Sequence, residues 1–142
     1  MIHVKLDMNR TLEVCFMAEN EKARLKEMTC ELKLYNRKAK AQFTDRTRRP
    51  DYSVDFFGEV KPFADHVQHL IDSWRPLAET WVREDHPEYV YPIQIKDTYD
   101  NLSIICVTAF QKDTRRRRFL EMIKSIDYVL DNILEDLRVD QG

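Results

Sequence analysis

Two runs of arginine and one pair of histidines are the residues whose type and spacing could do chemistry in this chain. The runs are Arg46, Arg48 and Arg49, then Arg115, Arg116, Arg117 and Arg118; the pair lies in Asp65-His66-x-x-His69-x-x-Asp72. A guanidinium group presents a planar fork of donors that matches carboxylate and phosphate, so clustered arginines point to anion recognition. Histidines at i, i+3 share one helix face and suit a metal. Such a pair needs ligands from facing helices, and the Glu-x-x-His segments that usually supply them are absent. His3 and His86 have no companions at ligand spacing.

Nucleophilic catalysis asks for Ser or Cys at a strained turn or a helix start, with a base in reach. Cys15, Cys30 and Cys106 occupy no such position, and an odd count without C-x-x-C spacing argues against a disulfide framework or a zinc site. Gly58 and Gly142 are the only glycines, so phosphate loops, dinucleotide fingerprints and nucleophile elbows are excluded. Carboxylates abound on helix faces, where solubility and i, i+4 pairing account for them. The expectation is a protein that is no enzyme and binds no cofactor.

At 142 residues the chain is one domain, long enough to bury a core without disulfides or metal. Apolar residues make up 43% and charged residues 34%, at a net charge of −2, so affinity for nucleic acid or membrane must come from a local patch. No apolar run reaches the ~20 residues of a membrane span and no secretory leader is readable, which places the chain in the cytoplasm. Asn9-Arg-Thr11 and Asn101-Leu-Ser103 are then chance matches to the glycosylation pattern.

The elements that position these groups read as helices. Residues 1–16 alternate briefly like a strand at Ile2, Val4, Leu6 and Met8 and then lose the pattern. They read as an appendage (residues 1–19 with the lead into the first helix), with Met17 an alternative native start. The bundle domain spans 20–138. The first helix runs from an N-cap at Asn20 with the stripe Leu25, Met28, Leu32, Tyr35, Ala39 and Phe43, and yields to a loop over 44–52. The second opens near Ser53 or Asp55 and carries Val60, Phe63, Val67, Leu70, Trp74, Leu77 and Trp81, with Pro62 in its first turn and Pro76 bending it. Pro87 to Pro92 forms a tight connection with two tyrosines over the bundle end.

The third helix runs from Ile93 to Asp113 on Ile95, Thr98, Leu102, Ile105 and Ala109. Its subsegment Leu102–Phe110 also admits a strand reading, which the longer helical pattern outweighs. As a helix it has surplus apolar surface at Ile104, Val107 and Phe110, to be covered by the appendage or by a weak homodimer. The fourth helix, N-capped by Asp113 or Thr114, carries Phe119, Ile123, Ile126, Leu130, Ile133 and Leu137. The fold class is all-α, an antiparallel up-down-up-down four-helix bundle with a short N-terminal appendage.

The wording of these segments resembles the YppE-like family of small uncharacterised proteins from Bacillus-type bacteria. The resemblance lies in Asp55-Phe-Phe57 with Val60-Lys-Pro62, Pro87-Glu-Tyr-Val90 leading to Ile95, Asp100-Asn-Leu102, Arg118-Phe119 and Tyr128-Val-Leu130. It covers about residues 20–138 and implies an antiparallel four-helix bundle in the cytoplasm. It implies no activity or catalytic residue. The appendage and Pro76 depart from the family pattern.

In an up-down-up-down bundle the first and third loops share one end, so both arginine runs meet there, with Arg37, Lys38, Lys40 and Lys112 nearby. Glu84, Asp85, Glu88, Glu135, Asp136 and Asp140 mark the other end. A solvated helix end, partly neutralised by Asp45, Asp51, Asp55 and Asp113, is the plain account of the arginines. Four guanidinium groups at a helix N-terminus, however, oppose its dipole by up to ~1 kcal/mol each, a conflict that a bound anion relieves. The preferred reading is an interaction module that docks an acidic protein partner through Arg46, Arg48, Arg49, Arg115, Arg116, Arg117 and Arg118. Nucleic acid or another polyphosphate at the same end is the first alternative, disfavoured because no aromatic is free for stacking within the runs. A metal site at His66 and His69 is the second.

Overall fold

The computed structural model describes residues 17–141, with side chains as far as residue 138. The expected appendage over 1–16, His3, Cys15 and the side chain of Asp140 lie outside the described residues. Among those described, the α-helices are α1, Glu19–Ala41; α2, Lys61–Asp85; α3, Pro92–Thr108; and α4, Arg116–Gln141. Each packs on two neighbours, α1 and α3 both lying between α2 and α4. Chain order is therefore also the order around the bundle.

The alternation of direction is visible at both ends. Met17 and Lys22, at the start of α1, meet Asp85 at the end of α2. Phe43, just past α1, stacks at 4.5 Å on Phe119 at the start of α4. This is the up-down-up-down bundle that the apolar periodicity predicts, and no strand occurs among the described residues.

Each predicted stripe is buried: Leu25, Leu32 and Phe43; Val67, Trp74 and Trp81; Ile95, Leu102 and Ile105; Phe119, Ile126 and Leu130. Thr29 and Asn36 join them, although a stripe of apolar residues passes them over. The Thr29 hydroxyl accepts from Trp74 Nε1 at 3.0 Å and donates to the Leu25 carbonyl at 2.7 Å, which ties α1 to α2. Asn36 Nδ2 donates to the Ile123 carbonyl and to Asp127 Oδ1, both at 3.0 Å, which ties α1 to α4. Buried polar groups with partners hold a specific register that apolar contacts alone leave loose.

The helix ends correct several expectations. The chain past α1 winds on through a π-helical turn, Gln42–Thr47, and a second, Phe56–Val60, leads into α2. The connecting loop is therefore 48–55 rather than 44–52. Asp55 starts the second turn by accepting the Gly58 amide at 2.9 Å. A Cβ on residue 58 would lie 2.2 Å from the Asp55 carboxylate and push it aside, so glycine leaves room for that cap. Pro62 then sits in the first turn of α2, where its missing amide costs nothing.

α3 stops at Thr108, short of the expected Asp113. Two hydroxyls end it: Thr47 donates to the Ala109 carbonyl at 2.6 Å and Thr114 to the Thr108 carbonyl at 2.8 Å. Thr114 is thereby turned away from α4, which opens at Arg116 and takes neither Asp113 nor Thr114 as its cap. Phe110, predicted as surplus, is buried and meets Phe63 edge-on at 5.5 Å; Val107 packs on the core, and Ile104 alone of the three stays exposed. In the connection 86–91 it is Val90 that fills the bundle end, while Tyr89 and Tyr91 are exposed.

At the end opposite the arginines lies a buried ion pair. Asp85 Oδ2 is 2.7 Å from Lys22 Nζ, with the two side chains 4% and 8% exposed, and Asp85 Oδ1 accepts the Met17 amide at 2.8 Å. Asp85 is therefore internal and no part of an acidic surface. Removing one member of a buried ion pair costs about 3–5 kcal/mol. Asp85→Asn is expected to lose that much in urea unfolding, and Lys22→Met combined with Asp85→Asn to recover most of it; a loss below about 1 kcal/mol in the single variant would remove the pair from the fold's supports. Thr47→Val is expected to cost about 1–3 kcal/mol and to speed amide exchange over 109–115, because the Ala109 carbonyl loses its donor.

Candidate functional site

The arginine-rich end is assembled from the loop 48–55, its two π-helical turns, and the turn 109–115. Thr47 to Ala109 and Lys112 Nζ donating to the Pro50 carbonyl at 3.2 Å join them, and the Phe43–Phe119 stack ties the first π-helical turn to α4. π-Helical turns cost stability relative to α-helix and recur at functional sites. Both described here lie at this end.

All seven predicted arginines are exposed, but their states differ. Arg46 is committed internally: it pairs with Glu59 at 2.8 Å, donates to Gln42 Oε1 at 2.9 Å and lies 5.9 Å over the Tyr52 ring. Burial first, then the Glu59 charge, push the Tyr52 phenol above its ordinary pKa, so it stays a neutral donor to Glu59. Arg48 lies 5.9 Å over the Phe43 ring, within cation–π range. Arg117 pairs with Glu121 at 3.6 Å while its side chain remains 92% exposed, a contact of little strength. Arg49, Arg115, Arg116 and Arg118 make no ion pair among the described residues. The basic end of the sequence reading is thus divided, with Arg46 neutralised by Glu59 and the remaining cations facing solvent.

Apolar surface lies beside some of these cations, which the sequence reading did not anticipate. A groove of about 600 Å3 runs between the loop 48–55 and the end of α3, walled by Val54, Phe56, Val107 and Phe110 and edged by Lys112 and Asp113. A second, of about 290 Å3, is walled by Ile104, Phe119 and Met122 and edged by Arg115 and Arg118. Gln111 and Asp113 border both. Phe56 and Phe57 pack edge to face at 5.1 Å and stay 53% and 78% exposed. Their exposure follows from Asp55: by capping the turn it sets two aromatic residues ahead of the first buried position, Val60. The sequence signal was an adjacent aromatic pair one turn before the seam.

The other candidates are taken up by structural contacts. His66 Nε2 is 3.2 Å from Glu31 Oε2 and its ring rests 4.8 Å from Tyr35, while His69 is exposed. Asp65 pairs with Lys61 at 2.7 Å, and Asp72 accepts from Tyr99 at 2.6 Å and from Gln68 at 3.0 Å. Among the described residues no group of three or more His, Cys, Asp or Glu converges as metal ligands do. Burial pushes the Cys106 thiol up to about 11, which leaves it unreactive at neutral pH. At the far end, Glu135 forms a two-pronged pair with Arg138, and Asp136 accepts the Tyr89 amide at 3.4 Å. That acidic end is therefore more internally compensated than the charges alone imply. No described helix is long and apolar enough to cross a membrane.

Comparison with known proteins bears on this arrangement through the fold. The sequence model of a bacterial domain of unknown function, DUF1798, matches residues 29–137. The uncharacterised protein YppE of Bacillus subtilis is 23% identical over 90 residues, 63% of this chain and 73% of that protein. The crystal structure of a protein of unknown function from Listeria innocua superposes with a TM-score of 0.79 at 26% identity, over 85% of this chain and 96% of that one. The crystal structure of YppE gives 0.78 at 23% identity, over 84% and 98%. With most of its length matched by the family's sequence model, and with the same bundle in its structural neighbours, this chain belongs to the DUF1798 family.

Proposed function

We propose that this protein is a non-enzymatic cytoplasmic interaction module that docks an acidic protein partner at its arginine-rich end. The observation that carries the reading is the juxtaposition made by Thr47, Lys112 and Phe43, which brings both arginine runs to one end, with apolar grooves beside Lys112, Arg115 and Arg118. Exposed, uncompensated guanidinium groups favour a carboxylate-rich partner, and the grooves favour a protein over a phosphodiester backbone. Interleaved Asp51, Asp55, Glu59 and Asp113 break the continuous positive track that a nucleic acid needs. With Phe110 covered, the large aliphatic side chains left exposed on α3 are Ile93 and Ile104, near opposite ends of the helix, which favours a monomer over a dimer through this helix.

Binding to immobilised protein tests this, with labelled glutamate-rich peptide and labelled duplex DNA as probes. The peptide is expected to bind, to weaken with salt, and to lose about tenfold or more in affinity in Arg115→Ala/Arg118→Ala. Arg83→Ala/Arg138→Ala, at the opposite end, is expected to bind as wild type. No peptide binding at low salt, or DNA bound in preference to peptide, would overturn the proposal.

A further inference from the structure

Resting on that reading, we infer that the two grooves flanking Gln111 form one bipartite seat for an acidic segment that carries two apolar anchor side chains. Each groove is too small for a folded surface and large enough for one or two side chains. The two share Gln111 and Asp113 as a common border, so a single extended segment crossing that border reaches both. Val54, 56% exposed, forms the lip of the first and Ile104, 43% exposed, the wall of the second.

Charge selects what the anchors must be attached to. Lys112 edges the first groove and Arg115 and Arg118 the second, and neither arginine has a carboxylate partner among the described residues. They also crowd the positive end of the α4 dipole, where a partner's carboxylate lowers the field of both. Asp113 is the opposing charge. Sitting on the shared border, it repels a carboxylate placed midway between the anchors, so the partner's acidic residues belong outside them, over Lys112 on one side and Arg115 and Arg118 on the other. A segment built this way gains affinity from burial of the anchors and orientation from the flanking charge.

Two synthetic peptides separate this seat from simple charge attraction: an Asp/Glu peptide with two leucines, and the same peptide with alanine at both positions. Fluorescence anisotropy is expected to give about tenfold or more tighter binding for the leucine peptide. Val54→Ser and Ile104→Ser, both neutral changes at exposed positions whose folding circular dichroism can verify, are each expected to remove part of that gain and to leave the alanine peptide little changed. Asp113→Asn is expected to tighten both peptides, an increase that a structural role for Asp113 would not produce. Equal affinity for the two peptides would overturn the seat and leave the arginine-end reading standing, whereas binding of neither would overturn both. A gain sensitive to Val54 but not Ile104, or the reverse, would overturn its bipartite character.

Discussion

The hydroxyl of Thr47 constrains the arginine-rich end more than any charge there. Buried, and donating to the Ala109 carbonyl, it stops α3 at the point where the apolar pattern would have let it continue. It also accepts from Gln42 Nε2, whose Oε1 receives Arg46. One side chain thus ends one helix, anchors the turn that closes another and fixes the guanidinium that neutralises Glu59. Everything exposed at this end, from Phe56 to Arg118, is displayed on a frame that this hydrogen bond sets.

The two ends of the bundle treat charge in opposite ways. At one, Lys22 and Asp85 are withdrawn from water as an ion pair 2.7 Å apart, with the Met17 amide on the other Asp85 oxygen. A buried pair of this kind adds little net stability over an apolar substitute, but it penalises every arrangement in which only one partner is buried. At the other end the cations are left outside, next to carboxylates that compensate only some of them. The buried pair suits an end that has to be held in one arrangement, and the exposed cations suit an end that has to be met.

Periodicity revealed the bundle because large apolar residues recur at three and four positions and helices bury them wherever their partners lie. The buried stripes of α2 and α4 are therefore legible from Val67 to Trp81 and from Phe119 to Leu137. Thr29, Asn36, Lys22 and Asp85 were not, since a polar side chain enters a core only when a specific partner far along the chain receives it. The arginines were legible as a set because two loops of an up-down-up-down bundle must share an end. The grooves between them were hidden for the same reason as the end of α3: both depend on Thr47 and Thr114 reaching carbonyls on another segment.

The π-helical turn at Gln42–Thr47 has a consequence for how this end can vary. Such a turn holds one residue more than an α-helical turn, and each residue advances a helix by about 100°. The direction in which Thr47 faces is therefore written in the number of residues before it as much as in their identity. Losing Thr44 or Asp45 would keep every arginine and every apolar wall, yet rotate the hydroxyl away from Ala109 and leave the two loops held by Lys112 and Pro50. The spelling at the exposed Thr44 and Asp45 can drift, while the length of the segment is held by geometry.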